Sequence, residues 1–491
     1  MNNTNLDIDK IFSSPDQYED LGTQYVIDES EFITDVKEDN PSKVITELLK
    51  DEEFTLSDEQ QRAFDIIENT NESMLLSGPG GTGKSYLLKY LIRNTKKNIL
   101  VTATTGIAAY NVMGCTIHSG LQIAARSIYY PNNYMSILKD QGFTESLVNK
   151  LDLLIIEEAS MLRADLAQIL DKLFRELRHR PAELFGGVQL LLVGDLSQIE
   201  PVVQSNKLEY MDSKKYIDTY FNGNPFFFSY APLSNLRSVR LTKVFRQSDA
   251  TFLYILDSIR SRTNLSYVLP QINKRVCPYQ LIPNKDDTII ICGTNKVAKE
   301  YNSAKRSELH GPEYIYNAVY DERIDKSAYP METEVRLKVG SKVMILVNSR
   351  ELGVNNGTIG IVQSLTEDSA TVRVKLNNGK YSNVTITRYP FKIAVPKVEG
   401  DSISCDYLEF NQLPLREAWA LTVHKAQGQS FDNVHIDIDR AFAHGQIYTA
   451  LSRCRTIEGL TLEHPIKDSD VIVRKEVLEK IREEENGHTN Y

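Results

Sequence analysis

Cysteine is scarce: the 491 residues hold five, Cys115, Cys277, Cys292, Cys405 and Cys454, and no two form a C-x-x-C pair. That scatter argues against a thiolate zinc site or a disulfide framework and fits a reducing compartment. Long apolar runs are missing too. None approaches the ~18 residues needed to cross a bilayer, so no membrane partner is expected. Met1-Asn2-Asn3-Thr4-Asn5 has neither a basic region nor an apolar core, and no secretory signal is expected. The expected location is the cytoplasm, in a bacterial or phage-encoded setting, with a nucleus or organelle as the alternative.

A basic surplus is also absent. The net charge is −10, which at first sight opposes binding to a polyanion. Its distribution weakens that objection. Residues 1–53 hold 15 Asp and Glu against 4 Lys, leaving 51 acidic and 52 basic residues in 54–491. The body is neutral and can still carry a local basic channel. The leader is polar with few apolar anchors, and Lys43 to Lys50 has the pattern of one short helix. It reads either as a solvated, disordered tail or as a segment that docks on a protein partner or mimics nucleic-acid charge.

What is present begins with Gly78-Pro79-Gly80-Gly81-Thr82-Gly83-Lys84-Ser85. It fits G-x-x-x-x-G-K-[ST], and its flanks supply the context that gives the match physical content. Ser73 to Ser77 is a short apolar run of strand type, and Tyr86 to Ile92 has helical spacing of large apolar residues. Backbone N–H groups in such a loop close around phosphates at the positive end of the helix dipole. Lys84 adds a point charge, and the Ser85 hydroxyl is placed for Mg2+. A nucleotide is the expected ligand. Upstream, Ser57 reads as a helix cap, which accounts for Ser57 but not for Gln60; a Gln there can read the edge of adenine.

Downstream, strand-like runs Ile99–Ala103, Leu151–Ile156, Val188–Val193 and Val239–Leu241 alternate with helical stretches. That is the pattern of an α/β fold with a parallel sheet, whose ligands collect at the carboxyl ends of the strands. One run leads into Glu157-Glu158, where one carboxylate suits a magnesium shell and the other an attacking water. Another leads into Gly194-Asp195-Leu196-Ser197-Gln198, where Gln198 is placed to sense a γ-phosphate. A second α/β series starts at Leu241. Between Val335 and Asp406 it gives way to short β runs separated by Asn-Asn-Gly turns, which predicts a small antiparallel barrel.

Taken together these blocks resemble the Pif-one (petite integration frequency) helicases of the 5′-to-3′ branch of superfamily one. The phage Dda-type and RecD-type enzymes are more distant relatives. The resemblance covers about 54–475. It rests on Thr102 to Ala109, Gly114 to Ser119, Phe185 to Leu190, Leu241 to Gln247, Leu421 to Gly428 and Phe442 to Arg453. It implies two RecA-like parallel-sheet P-loop domains, 54–240 and 241–335 with 406–475. An SH3-like β-barrel insert at 336–405, a short wedge insert at about 119–147, and a solvated tail at 476–491 complete the layout. The wedge insert, with Tyr129, Tyr130 and Tyr134, reads either as a stacking platform or as a packed surface loop.

The residue roles implied are these. Gln60, Gly78 to Ser85 and Gly428 bind nucleotide, Ser85 and Glu157 hold Mg2+, and Glu158 activates water. Lys84, Arg246 and Arg453 neutralise charge on the phosphates, while Gln198 relays the γ-phosphate state. Thr104, Thr105, Thr116, His118, His424 and Lys425 contact the DNA backbone. The function implied is an ATP-dependent DNA helicase that moves 5′ to 3′ on single-stranded DNA and opens forked duplex, as a monomer, in replication, recombination or repair. One departure stands out: the family places Asp where this chain has Glu157. That substitution opens a second reading, an ATP-gated single-stranded DNA-binding module with weak or no hydrolysis. A general DNA/RNA translocase is a third.

Overall fold

The computed structural model describes residues 55–487 apart from 127, 132–133, 204–210, 245–248, 284, 350 and 377–379. The acidic leader 1–53 lies outside the described residues. The body is organised on two parallel sheets. The first runs in the order Cys115–Thr116, Ile99–Ala103, Leu153–Glu157, Gln189–Gly194, Met74–Ser77, Arg237–Arg240. Its central strands are buried on both faces, as their unbroken apolar runs require. The second runs Ala420–Thr422, Thr288–Cys292, Asn433–Asp437, Leu460–Leu462. Both sheets present their carboxyl ends to the space between them, which is where the site lies.

Between the strands of the second sheet the chain inserts antiparallel structure. Lys342–Ile345, Ile359–Leu365, Ser369–Lys375 and Tyr381–Thr387 form a sheet closed on one side by Leu415–Glu417. A long hairpin follows, Tyr389–Glu399 with Ser402–Gln412, turning at Gly400. The boundary expected at 405/406 falls inside the hairpin's second strand. The hairpin also does more than finish a barrel. Ala394 sits in the core of the first unit, with Val398, Ile403 and Tyr407 packed against it. The insert therefore grips the opposite unit.

The expected solvated tail is corrected as well. Lys475–Gly487 is a helix whose Val477 and Ile481 are buried in the first unit's core. The acidic run Arg482 to Glu485 hid this, because Val477, Leu478 and Ile481 still mark one helical face. Replacing Ile481 with alanine should lower unfolding free energy by about 2–4 kcal/mol in a denaturant titration. A solvated tail would show no change. Among the described residues no helix is long and apolar enough to cross a membrane.

Candidate active site

The strand Met74–Ser77 delivers the chain into a glycine loop that closes on the helix Lys84–Asn94. Gly83 has φ 82°, a left-handed geometry that suits glycine and lets the helix begin at Lys84. Lys84 Nζ donates to the carbonyls of Gly78 at 2.7 Å and Pro79 at 3.0 Å. It thus lies folded along the loop that it would serve. Thr82 Oγ1 donates to Pro79 O at 3.0 Å and braces the same turn.

The carboxyl end of Leu153–Glu157 faces that loop. Ser85 Oγ donates to Glu157 Oε1 at 3.0 Å, so the longer acid reaches the serine directly. Glu158 follows with φ 54° and ψ 45°, a left-handed conformation unusual for a non-glycine residue. Burial raises the pKa of Glu157, and the neighbouring Glu158 carboxylate raises it further. Glu158 is also raised by burial, with Lys84 and Arg453 pulling the other way. Two carboxylates held out of water at this density favour a cation between them and the loop. Ser85 and Glu157 are hard oxygen donors, and one or two such ligands with waters and phosphate oxygens are the set that magnesium takes. The residues fit that ion.

The far wall comes from the second unit. A cleft of about 320 Å³ is lined by the glycine loop, Glu157, Glu158 and Gln198 on one side and by Gly428 and Arg453 on the other. Arg453 is 1% exposed, held by Nε to Thr449 O at 2.9 Å and by Nη1 to Gln429 O at 3.1 Å. Its charge lies close enough to lower the pKa of Glu158. Arg246, the other arginine expected here, lies outside the described residues.

Sequence reasoning missed the groups that join the two walls. Gln427 Nε2 donates to Glu158 Oε2 at 3.0 Å and to Gln198 Oε1 at 3.2 Å. Gln198 Nε2 reaches Asp195 Oδ2 at 3.3 Å, and Tyr448 OH donates to the same oxygen at 3.0 Å. A buried polar chain thus leaves the acid, passes through the second unit, returns to the first and ends on the helix before Arg453. The available signals were the position of Gln427 just before Gly428 and of Tyr448 five residues before Arg453.

The expectation that capping leaves Gln60 unexplained is corrected. Gln60 belongs to a capping box: Ser57 N donates to Gln60 Oε1 at 3.0 Å, and Gln60 N to Ser57 Oγ at 3.4 Å. Its amide Nε2 then donates to Gly83 O at 3.3 Å. Capping therefore accounts for Gln60 as well as Ser57, and the side chain ties the leading helix to the phosphate loop.

The residues expected to meet a nucleic-acid backbone divide. Thr105, His424 and Lys425 line one groove of about 670 Å³ between the units, with Met161, Tyr329 and Arg416. His424 Nε2 is buried there with no hydrogen-bond partner among the described residues. Lys425 Nζ pairs with Glu332 at 2.6 Å. The others sit behind the groove. Thr104 Oγ1 donates to Glu158 O at 3.2 Å, and Thr116 is buried against Ser327 Oγ at 3.1 Å. His118 Nε2 meets Tyr129 OH at 2.7 Å, and burial pushes the imidazole down to about 4, so it is neutral. Tyr129 is core, whereas Tyr130 is exposed and edge-on to Tyr216.

Two parallel-sheet units that enclose a phosphate loop, an acidic pair and an arginine from the far side define a nucleotide-driven motor of the RecA-like class. Comparison with known proteins narrows that class. Residues 55–251 match the PIF1-like helicase family, and residues 417–456 match a UvrD-like helicase C-terminal domain. ATP-dependent DNA helicase Pif1 of Bdellovibrio bacteriovorus is 29% identical over 86% of this chain and 90% of its own length. The chain spans about three-fifths of the length of the vertebrate PIF1 relatives that it matches. Unliganded Pif1 from a Bacteroides species is 31% identical, with a TM-score of 0.77 over 89% of this chain and 99% of that one. The same relative with ADP-AlF4 gives 0.77 at 30% identity, covering 89% and 98%. Bound to single-stranded DNA it gives 0.63 at 31% identity, covering 89% and 99%. The chain belongs to the PIF1-like helicase family, and its class of activity is ATP-dependent DNA unwinding.

Proposed function

We propose that this chain couples ATP hydrolysis to 5′-to-3′ movement along single-stranded DNA and opens the duplex ahead of it, in replication, recombination or repair. The observation that carries the reading is the cleft itself, whose glycine loop and acids come from one unit and whose Arg453 comes from the other. Ligand charge in that cleft draws the walls together, and its loss lets them part. One chain supplies both walls, so a monomer suffices.

Within the cleft Lys84 leaves its loop carbonyls for the terminal phosphates, and Arg453 forks onto the γ-phosphate across the gap. Ser85 and Glu157 hold Mg2+, which neutralises phosphate charge when bound. Glu158 accepts the proton of the attacking water, and Gln198, through Gln427, registers whether the γ-phosphate is present. Thr105, His424 and Lys425 bind the strand in the groove by its backbone, a contact that positions without reading sequence. Thr104, Thr116 and His118 shape the loops behind it. The relative bound to single-stranded DNA differs more from this chain as a whole than the unliganded relative does.

Two duplexes of the same sequence, one with a 5′ tail and one with a 3′ tail, test the polarity. The 5′-tailed duplex should be unwound, and unwinding of the 3′-tailed one alone would overturn the direction. The Glu157–Ser85 contact favours turnover over a silent ATP gate. Glu157→Asp should therefore change kcat by less than about tenfold. An inert wild type rescued by that substitution would establish the gate instead. Lys425→Ala should weaken single-stranded DNA binding about equally for all sequences and reduce the salt slope by roughly 0.7–1. Fluorescence anisotropy at several salt concentrations reads both effects.

A further inference from the structure

Glu200 follows the Gln198 loop and lies outside the nucleotide cleft, yet it sits where the two units meet. Arg474 Nε donates to Glu200 Oε2, and the main-chain N–H of His444 donates to Glu200 Oε1 at 3.4 Å. Both side chains of the ion pair are partly buried, at 29% and 18% exposure for Arg474 and Glu200. Arg474 is itself anchored twice more, by N–H to His444 Nδ1 at 3.0 Å and by Nη1 to Gly223 O at 3.1 Å. His444 is buried and spends its other ring nitrogen on Leu196 O at 2.9 Å, which fixes it as the neutral Nε2–H tautomer. One imidazole thus ties the loop that holds Asp195 and Gln198 to the segment that leads into the last helix.

The next residue makes the register unforgiving. Gly445 has φ 69°, and a Cβ there would lie 2.4 Å from the carbonyl oxygens of Ser197 and Gln198. It starts the helix Gln446–Leu451, on which Thr449 Oγ1 accepts from Ile199 N at 3.0 Å. The same Thr449 holds Arg453 Nε through its carbonyl. The placement of Arg453 in the cleft is therefore built on contacts between residues 196–200 and 444–449, and Glu200 with Arg474 latches that surface from its outer edge.

We propose that Glu200 is a positioning residue which, through Arg474 and His444, sets the helix before Arg453 against the Gln198 loop and so fixes where the arginine lies across the cleft from the phosphate loop. The inference rests on the reading of the cleft given above. It places a determinant of turnover in a side chain that touches neither nucleotide nor DNA. A misplaced arginine costs the transition state more than the bound ground state, so the effect belongs in kcat.

The test is a double-mutant cycle of Glu200→Gln and Arg474→Gln in the full chain. It measures ATP turnover at saturating single-stranded DNA and ADP affinity by fluorescence. Each single variant should lower kcat by about tenfold with ADP affinity within about twofold, and the double variant should be no worse than the lower single. Unchanged kcat, losses that multiply, or a parallel fall in ADP affinity would each overturn it, the last because it reports a damaged cleft. Lys84→Ala separates this from the parent reading. Turnover that survives Lys84→Ala refutes the cleft assignment itself, whereas normal kcat in Glu200→Gln with a dead Lys84→Ala refutes only the latch.

Discussion

Arg453→Ala is expected to lower ATP turnover by about 10³-fold or more while ADP still binds. The arginine lies across the cleft from the phosphate loop, fully buried, with three of its guanidinium donors satisfied by Thr449, Gln429 and Ser452. Holding a guanidinium in a dry site fixes its direction before the phosphate arrives, and a preorganised charge acts on developing charge without reorganising at the moment of reaction. Arg453→Lys retains the charge but not the planar fork, and should recover only part of the loss. Steady-state turnover with single-stranded DNA, set beside ADP titration, separates failure of chemistry from failure of binding. Because removal of Arg453 also takes away one of the two cations that offset the burial of Glu158, leaving Lys84 alone, a modest fall in thermal stability is expected in the alanine variant.

Glu158→Gln should be nearly as damaging to turnover, by about 10²–10⁴-fold, and opposite in its effect on stability. The amide keeps the size of the acid and still offers an oxygen to Gln427 Nε2, so the polar chain to Gln198 survives. It cannot take a proton from water. At the same time it removes a buried carboxylate whose charge raises the cost of ionising Glu157, so the melting temperature should stay level or rise. A variant that is dead, binds ATP, and melts no lower than the wild type would identify Glu158 as the base. Retained turnover would remove it from the mechanism.

The parts of this site that were legible in the sequence are those whose local chemistry has a short signature. The glycine loop is one, because strand, turn and helix follow within about twenty residues and each restrains the chain differently. The acidic pair is another, announced by the four apolar residues of a buried strand. Gln60 shows the limit of such reading. Its side chain also bonds to Ser57 and Gly83, and a capping box at the start of a helix has a sequence signature of its own. Thr116 and His118 belong to one short sequence block, but their contacts with Ser327 and Tyr129 come from residues outside it.

The larger misreadings concern long-range packing. The hairpin Tyr389–Glu399 with Ser402–Gln412 reads as two strands, but nothing in its alternation says that Ala394 enters the opposite unit's core. The last helix hides two buried residues behind its acidic run, and Glu484 in that run accepts from Ser77 and Ser238 beside the phosphate loop. Gln427 and Tyr448 lay inside blocks already singled out, yet only the meeting of the two units shows what they touch. Motifs mark the chemistry of each wall, and the geometry between walls needs the fold.

ATP turnover by the wild-type chain, measured with and without single-stranded DNA, tests the central claim most directly. The two-walled cleft predicts slow hydrolysis alone and strong stimulation by DNA, because a strand bound across both units promotes the closure that brings Arg453 to the phosphates. Tight ATP binding with no hydrolysis in either condition would contradict it.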